Sequence, residues 1–280
     1  MNHTDIFVVI PYLACEAQGH ELEYAVAGWH KHFKAPHRIV VVGDRDEVVE
    51  RLLICEDGKT EGKITFLDCP RINPQKGQYL PHLDIVNKLS CFLYTIPALS
   101  FVKASDDQYA IRDFTLEDIR RPKINAWEIP PQTDIPDFGT VDWWHDLCKT
   151  RNLCLDHHLP IMDWSTHLPA YYNSRLLKQL FDMFDMRYVS YVFESVYFNF
   201  LRAEINNVNN VTAPNLSTSD IEFMEPEILT PGNKWKLEIR DGALPFTRVE
   251  QAGTVWINNS RSGWSPQLEL KLHQHYFSGK

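Results

Sequence analysis

The chain has 280 residues, 44% of them hydrophobic, and a formal net charge of −9, enough length and apolar content for a buried core in one large domain. The charge disfavours a general polyanion binder, whose affinity comes from clustered Lys and Arg neutralising phosphates, and no apolar run approaches the roughly 20 residues that a membrane-spanning helix needs. Six cysteines without a CxxC pair fit reduced thiols, and MNHTDIFVVIPYL has neither a basic lead nor a small-residue cleavage site, so the expectation is a cytoplasmic protein with no integral membrane segment.

The first hundred residues alternate strand and helix signals. IFVVIPYL (6 to 13) is a nearly continuous apolar run, as expected of a strand buried on both faces of a parallel sheet. ELEYAVAGWHKHF (21 to 33) spaces Leu22, Val26, Trp29 and Phe33 as a helix. HRIVVVGD (37 to 44) predicts a second strand, residues 46 to 53 a short helix, KITFLDCP (63 to 70) a third strand closed by proline, and residues 82 to 96 another helix. SFVKASDDQYAI (100 to 111) predicts a fourth strand running into an acidic turn. Residues 120 to 165, rich in Pro, Trp and Asp, predict loop and lid; helices are expected at 173 to 184, with Asn173 or Ser174 as N-cap, and at 188 to 205. A polar, turn-rich stretch (206 to 233), a strand in GTVWINNS (253 to 260) and a last helix (266 to 277) complete the chain.

This order predicts an α/β fold with a mostly parallel sheet flanked by helices, whose ligand crevice lies beyond the carboxyl ends of the strands. Asp44 and the Asp106-Asp107 pair stand at two of those ends. Adjacent carboxylates at the end of a buried strand repel each other and lose hydration unless a cation or a protein donor compensates them. Mg2+ or Mn2+ suits such a pair, because either binds one or two carboxylates and completes its shell with ligand phosphates. The alternative is that the two aspartates simply cap a loop.

The layout of residues 1 to 111, with its second strand ending in GD and its fourth in KASDDQ, resembles the nucleotide-sugar half of GT-A-fold glycosyltransferases, in which an acidic motif holds a metal and the donor diphosphate. The resemblance implies residues 1–119 as the donor-binding α/β half and residues 120–280 as a helix-rich acceptor-side and lid region, packed as one continuous domain. Three later blocks resemble the Stealth group of capsule hexose-1-phosphate transferases: SDDQYAI, THLPAYYNSRLLKQLFDMF (166 to 184) and VWINNS, where Asn258-Asn259 stands at the group's Asn-Asp. The activity implied is metal-dependent glycosyl transfer from a nucleotide-sugar, with a UDP-sugar as the first donor to test. A sugar-1-phosphate transferase or a non-catalytic nucleotide-sugar or glycan-binding module are the alternatives. Glycan, small molecule and modified phage DNA stand as acceptors.

On this reading His167, before Pro169, is a base or metal ligand, with a surface histidine as the alternative. Arg187 is a phosphate-binding guanidinium, and Glu194, at i+7, is its partner or a base. Pro11 and Tyr12, in the loop after the first strand, face the nucleobase or ribose, and Asp44 the ribose hydroxyls. Lys88 either reaches the diphosphate or forms a plain i,i+4 pair with Asp84. His157 and His158 with Asp156 form a lesser cluster, and Trp127, Trp143, Trp144 and Trp164 are core anchors or a sugar-stacking platform.

Overall fold

The structure, a computed structural model, describes residues 6–49, 64–72, 81–131, 141–205, 224–230, 233–239, 253–260 and 263–278. Its strands are β1 (Ile6–Tyr12), β2 (His37–Gly43), β3 (Ile64–Asp68), β4 (Ser100–Lys103), β5 (Gln108–Ala110), β6 (Lys123–Asn125), β7 (Ala170–Asn173), β8 (Glu227–Leu229), β9 (Lys236–Ile239) and β10 (Trp256–Asn259). Its helices are α1 (Glu21–His32), α2 (Pro81–Thr95), α3 (Leu116–Arg120), α4 (Val141–Asp156), α5 (Ser174–Met183), α6 (Phe193–Ile205) and α7 (Pro266–Phe277).

The central sheet has the order β3-β2-β1-β4-β7, with β1 to β4 parallel and β7 antiparallel at the edge. Both faces are covered, and the two-residue period of the strands divides their side chains cleanly. Val9, Val40, Val42 and Phe101 pack with α2, α5 and α6, whereas Val8, Ile10, Ile39, Val41 and Val102 pack with α1 around Trp29 and Phe33. A three-stranded sheet, β5-β10-β9, lies against α1 and α7 through Tyr24, Tyr109, Ile257 and Leu268. β6 and β8 form a parallel pair. Strands from either side of residue 119 therefore share sheets: β7 joins β4, and β10 joins β5.

The expected strand at 100 to 111 is two strands. Asp106 and Asp107 form a turn, after which β5 leaves the main sheet and pairs with β10, Tyr109 opposite Ile257. Turning at this point keeps two carboxylates out of the sheet's dry interior. The region expected to be loop holds β6 and the 16-residue α4. Its inward stripe carries polar residues, Asp146 and Thr150, beside Leu147 and Cys154, all buried, which masks the apolar periodicity. The helix expected from 188 starts at Phe193; before it the chain is held by side-chain bonds, Val192 N donating to Thr150 Oγ1 at 2.9 Å. β7, β8 and β9, each three or four residues long, lie where no strand is expected from the sequence.

Residues 47–49 begin the expected short helix, and its remainder lies outside the described residues, as does most of the polar stretch from 206. Asn173 caps α5, its side-chain oxygen accepting from Leu176 N at 3.0 Å, and Ser265 caps α7 in the same way. The five described cysteines are free thiols. Among the described residues no helix is long and apolar enough to cross a membrane.

Candidate functional site

The chain builds outward from β1 through β2 to β3, then returns to place β4 on the other side of β1. The strand order thus reverses between β1 and β4, and an open crevice forms at the carboxyl ends of such a pair. A cleft of about 320 Å³ opens there, within the size range of small-ligand sites. Pro11, which belongs to β1 and not to the loop expected after it, and Leu13 just beyond line this cleft, as do Lys103 at the end of β4 and Ser105, Asp106 and Asp107 after it. The register fixes this floor: Val9 lies opposite Lys103, and Ala104 N donates to Val9 O at 2.9 Å.

Lys88 threads beneath the ends of β1 and β2. Gly43 makes room for it, because a Cβ there would lie 2.7 Å from Lys88 Cε and 2.0 Å from Tyr12 O. The φ of Gly43, +132°, is also one that side chains rarely adopt. Lys88 Nζ donates to Asp84 Oδ2, both groups buried, and Asp84 Oδ1 accepts from Ile72 N at 3.0 Å. The sequence alternative of an i,i+4 pair is therefore realised, and both residues also line the cleft.

Asp106 and Asp107 are half-buried and enclosed by other protein groups. Loss of hydration raises the Asp106 pKa well above the carboxylate range, and repulsion from Asp107 and Glu21 adds to it against a weaker opposing pull from Lys88. Burial pushes Asp107 up to about 6, with Lys103 acting in the other direction. Behind them Glu21, on α1, is buried and raised to about 7 by desolvation. It accepts from Asn259 Nδ2 at 2.7 Å, and Asn259 Oδ1 accepts from Tyr109 Oη at 2.5 Å. Negative charge at this turn is under-compensated, the condition a hard cation relieves. Among the described residues no group of three or more His, Cys, Asp or Glu is placed to hold a metal. The pair suits an ion that takes the rest of its shell from a ligand's phosphates, not one caged by protein alone.

The opposite wall brings Ser165, His167 and Glu194 together with the pair. Glu194, in the first turn of α6, receives Lys103 Nζ at 3.2 Å. His167 sits at φ +52° and is exposed toward the cleft. Desolvation on its protein side, with the ammonium groups of Lys236 and Lys103 nearby, holds its pKa below the usual imidazole value, so the ring is neutral at pH 7. Its carbonyl accepts from Asn258 Nδ2 at 2.7 Å. Asn258 and Asn259 thus hold neighbouring structure and do not line the cleft.

Other expected residues fall elsewhere. Tyr12 belongs to β1 and not to a loop; its ring is core, and its hydroxyl donates to Asp46 Oδ2 at 3.1 Å. Asp44 accepts from Ala14 N at 2.8 Å, which braces the turn after β1, and is not among the cleft's lining residues. Arg187 also lies outside that lining and pairs with Asp182 at 2.5 Å. The pairing expected with Glu194 assumed one continuous helix, and no helix joins the two positions. His157 and His158 stand exposed at the end of α4. Trp164 is core, its Nε1 donating to Asn199 Oδ1 at 3.0 Å, while Trp127 is exposed. Trp143 packs against Trp144 and also lines the cleft.

Sequence reading missed Lys103, Glu21 and His82. A lysine closing an apolar strand just ahead of two aspartates was a usable signal for the first. Glu21 and His82 have partners far along the chain and left no local signal.

No protein-family model matches the chain, and no curated protein is similar to it in sequence. Among solved structures, the apo structure of WbbM, a bifunctional glycosyltransferase, is similar over 98% of this chain and 52% of its own, at 10% identity and a TM-score of 0.45. The chain spans about half the length of that protein, and likeness at this level leaves the functional reading to rest on the cleft itself.

Proposed function

We propose that the chain transfers a sugar from a nucleotide-activated donor, with Asp106 and Asp107 holding Mn2+ or Mg2+ against the donor diphosphate. The observation that carries this reading is the acidic turn at the strand-order reversal, where two carboxyls that resist ionising line a ligand-sized cleft. Charge developing on the leaving diphosphate would be neutralised by an ion shared between these carboxylates and the phosphates. Lys88 and Lys103, paired with Asp84 and Glu194, line the same cleft and would turn their ammonium groups toward the diphosphate. Pro11 and Leu13 supply its apolar part and Trp143 an aromatic face. An acceptor hydroxyl must lose a proton as it attacks, and the cleft offers His167, Glu194 and His82 for that step. Arg187, paired with Asp182 and outside the cleft's lining residues, is given no role in this reading.

The test is a thermal-shift panel of UDP-, GDP-, ADP- and CMP-sugars with and without Mn2+, followed by donor turnover. A cognate donor should raise the melting temperature only with the metal. Asp106→Ala/Asp107→Ala should abolish that shift and lower turnover by at least about 100-fold while the variant stays folded. A folded double variant with undiminished shift and turnover removes the proposal. The products separate the chemistries: nucleoside diphosphate marks glycosyl transfer, nucleoside monophosphate marks sugar-1-phosphate transfer, and binding without release marks a non-catalytic module.

A further inference from the structure

His82 lies in the first turn of α2, and Asp146 lies in the middle of α4, 64 positions along the chain. The two helices bring them together at the cleft wall, where His82 is a lining residue and Asp146 is the buried group behind it, 1% exposed. His82 Nδ1 is 2.8 Å from Asp146 Oδ2. The same carboxylate accepts from Ser190 Oγ at 2.5 Å and, through Oδ1, from Lys149 Nζ at 3.1 Å. Burial by itself would push Asp146 toward the neutral acid, but these donors outweigh it and hold its pKa below the ordinary value. An ionised acceptor at Nδ1 requires the proton on Nδ1, which leaves the lone pair of the neutral ring on Nε2, the ring nitrogen free for a ligand.

A buried His-Asp contact can serve only to pin one helix to another. Two features go beyond that. Asp146 carries three donors at full burial, a costly arrangement for a tie that apolar contacts could supply. The other bases of the cleft are also less suited. Glu194 is bonded to Lys103, and His167 lies near two ammonium groups that oppose its protonation. His82 is instead held at Nδ1 by a carboxylate, the arrangement that orients a catalytic imidazole.

We propose that His82 Nε2 takes the proton from the acceptor hydroxyl, with Asp146 as the positioning residue that holds the ring in its Nδ1–H tautomer. This deepens the nucleotide-sugar reading and rests on it. In the step, the acceptor O–H bond breaks and its proton passes to Nε2. The acceptor oxygen bonds to the anomeric carbon, and the carbon–oxygen bond to the diphosphate breaks with its electron pair staying on the leaving group. Water entering as acceptor in slow donor hydrolysis uses the same base, so the test does not require the natural acceptor.

Donor hydrolysis with Mn2+ is measured, with the UDP-, GDP-, ADP- and CMP-sugar panel, for the wild type and for His82→Ala, His82→Gln, Asp146→Asn and Asp106→Ala/Asp107→Ala. His82→Ala should lower kcat by about 100-fold or more with the donor's thermal shift unchanged, and added imidazole should restore part of the rate. His82→Gln, which keeps a polar group at the wall, should be as slow, which separates lost chemistry from lost folding. Asp146→Asn should lower kcat by at least about 10-fold at unchanged donor KM. In 15N-histidine spectra of the wild type, His82 should carry its proton on Nδ1, and Asp146→Asn should move that signal. Turnover of both His82 variants within about threefold of wild type, beside an inactive aspartate double variant, overturns the base and leaves the donor reading standing. An Nε2–H tautomer in the wild type also overturns it. A panel without any turnover removes the donor reading and this base with it.

Discussion

The two walls of the cleft are built by different means. The floor runs from Lys103 to Asp107 in one contiguous stretch, and backbone pairing in the parallel sheet sets its position. The opposite wall is gathered from residues 163–167 and α6, and side chains hold it. Asn199 Oδ1 accepts from Met162 N and Trp164 Nε1, its Nδ2 donates to Met162 O, and Asp163 Oδ1 accepts from Ser165 N. A backbone ladder survives most substitutions, because every residue type supplies the same N–H and C=O. A side-chain network loses a member with each substitution. On the proposed function the donor uses the floor, so donor binding should tolerate damage to the opposite wall, whereas positioning of the acceptor should not.

The floor has one weak point, the pair formed by Lys88 and Asp84 beneath Gly43. Lys88→Ala leaves a buried carboxylate without its cation, and about 3–5 kcal/mol of stability should be lost. Lys88→Met combined with Asp84→Asn removes both charges and should recover much of that loss. Denaturant unfolding reads both, and a single variant within about 1 kcal/mol of wild type would mean that the floor does not depend on the pair.

Asn199→Ala is the corresponding cut in the opposite wall. It strands the bonding groups of Met162 and the indole of Trp164 inside the core, for an expected loss of about 3 kcal/mol. Hydrogen exchange should rise across residues 161–167, while Mn2+-dependent donor stabilisation persists. Equal loss of donor binding would show the two walls to be coupled.

The same contrast explains what was readable in advance. The parallel strands β1 to β4 and α1, α2, α5 and α7 announce themselves locally: VVI in β1 is apolar because both faces of the sheet are covered, and Ser265 and Asn173 are caps. The acidic turn could be located because strand ends are where such sheets open. α4 was hidden because Asp146 and Thr150 occupy its buried stripe. The departure of β5 from the main sheet depends on β10, about 150 residues later. Lys103 with Glu194, 91 positions apart, and His82 with Asp146 are contacts that only the folded chain defines. Arg187 misled for a related reason: its i+7 relation to Glu194 has meaning only within a continuous helix, and α6 begins at Phe193.

The smallest effect concerns the acidic turn itself and has a definite sign. The folded-state pKa of Asp107 is about 6 against an ordinary 3.8, and Asp106 is raised as well. The folded protein therefore holds protons that the unfolded chain has released over this interval, and stability from the protonated carboxyls is lost as pH rises through the folded values. His167 has the opposite sign, its folded value lying near 4 and below the usual 6.5, so its contribution is lost as pH falls. Comparing the wild type with Asp106→Asn/Asp107→Asn removes the His167 contribution, which both proteins share. The two should melt nearly together at pH 4. By pH 7.5 the asparagine variant should be the more stable, by on the order of 2 kcal/mol, since one pKa unit corresponds to about 1.4 kcal/mol. Adding Mn2+ with a cognate donor should close the gap by stabilising only the wild type. A melting difference flat across this range would mean that Lys88 and Lys103 already neutralise the turn, and the need for a cation there would disappear.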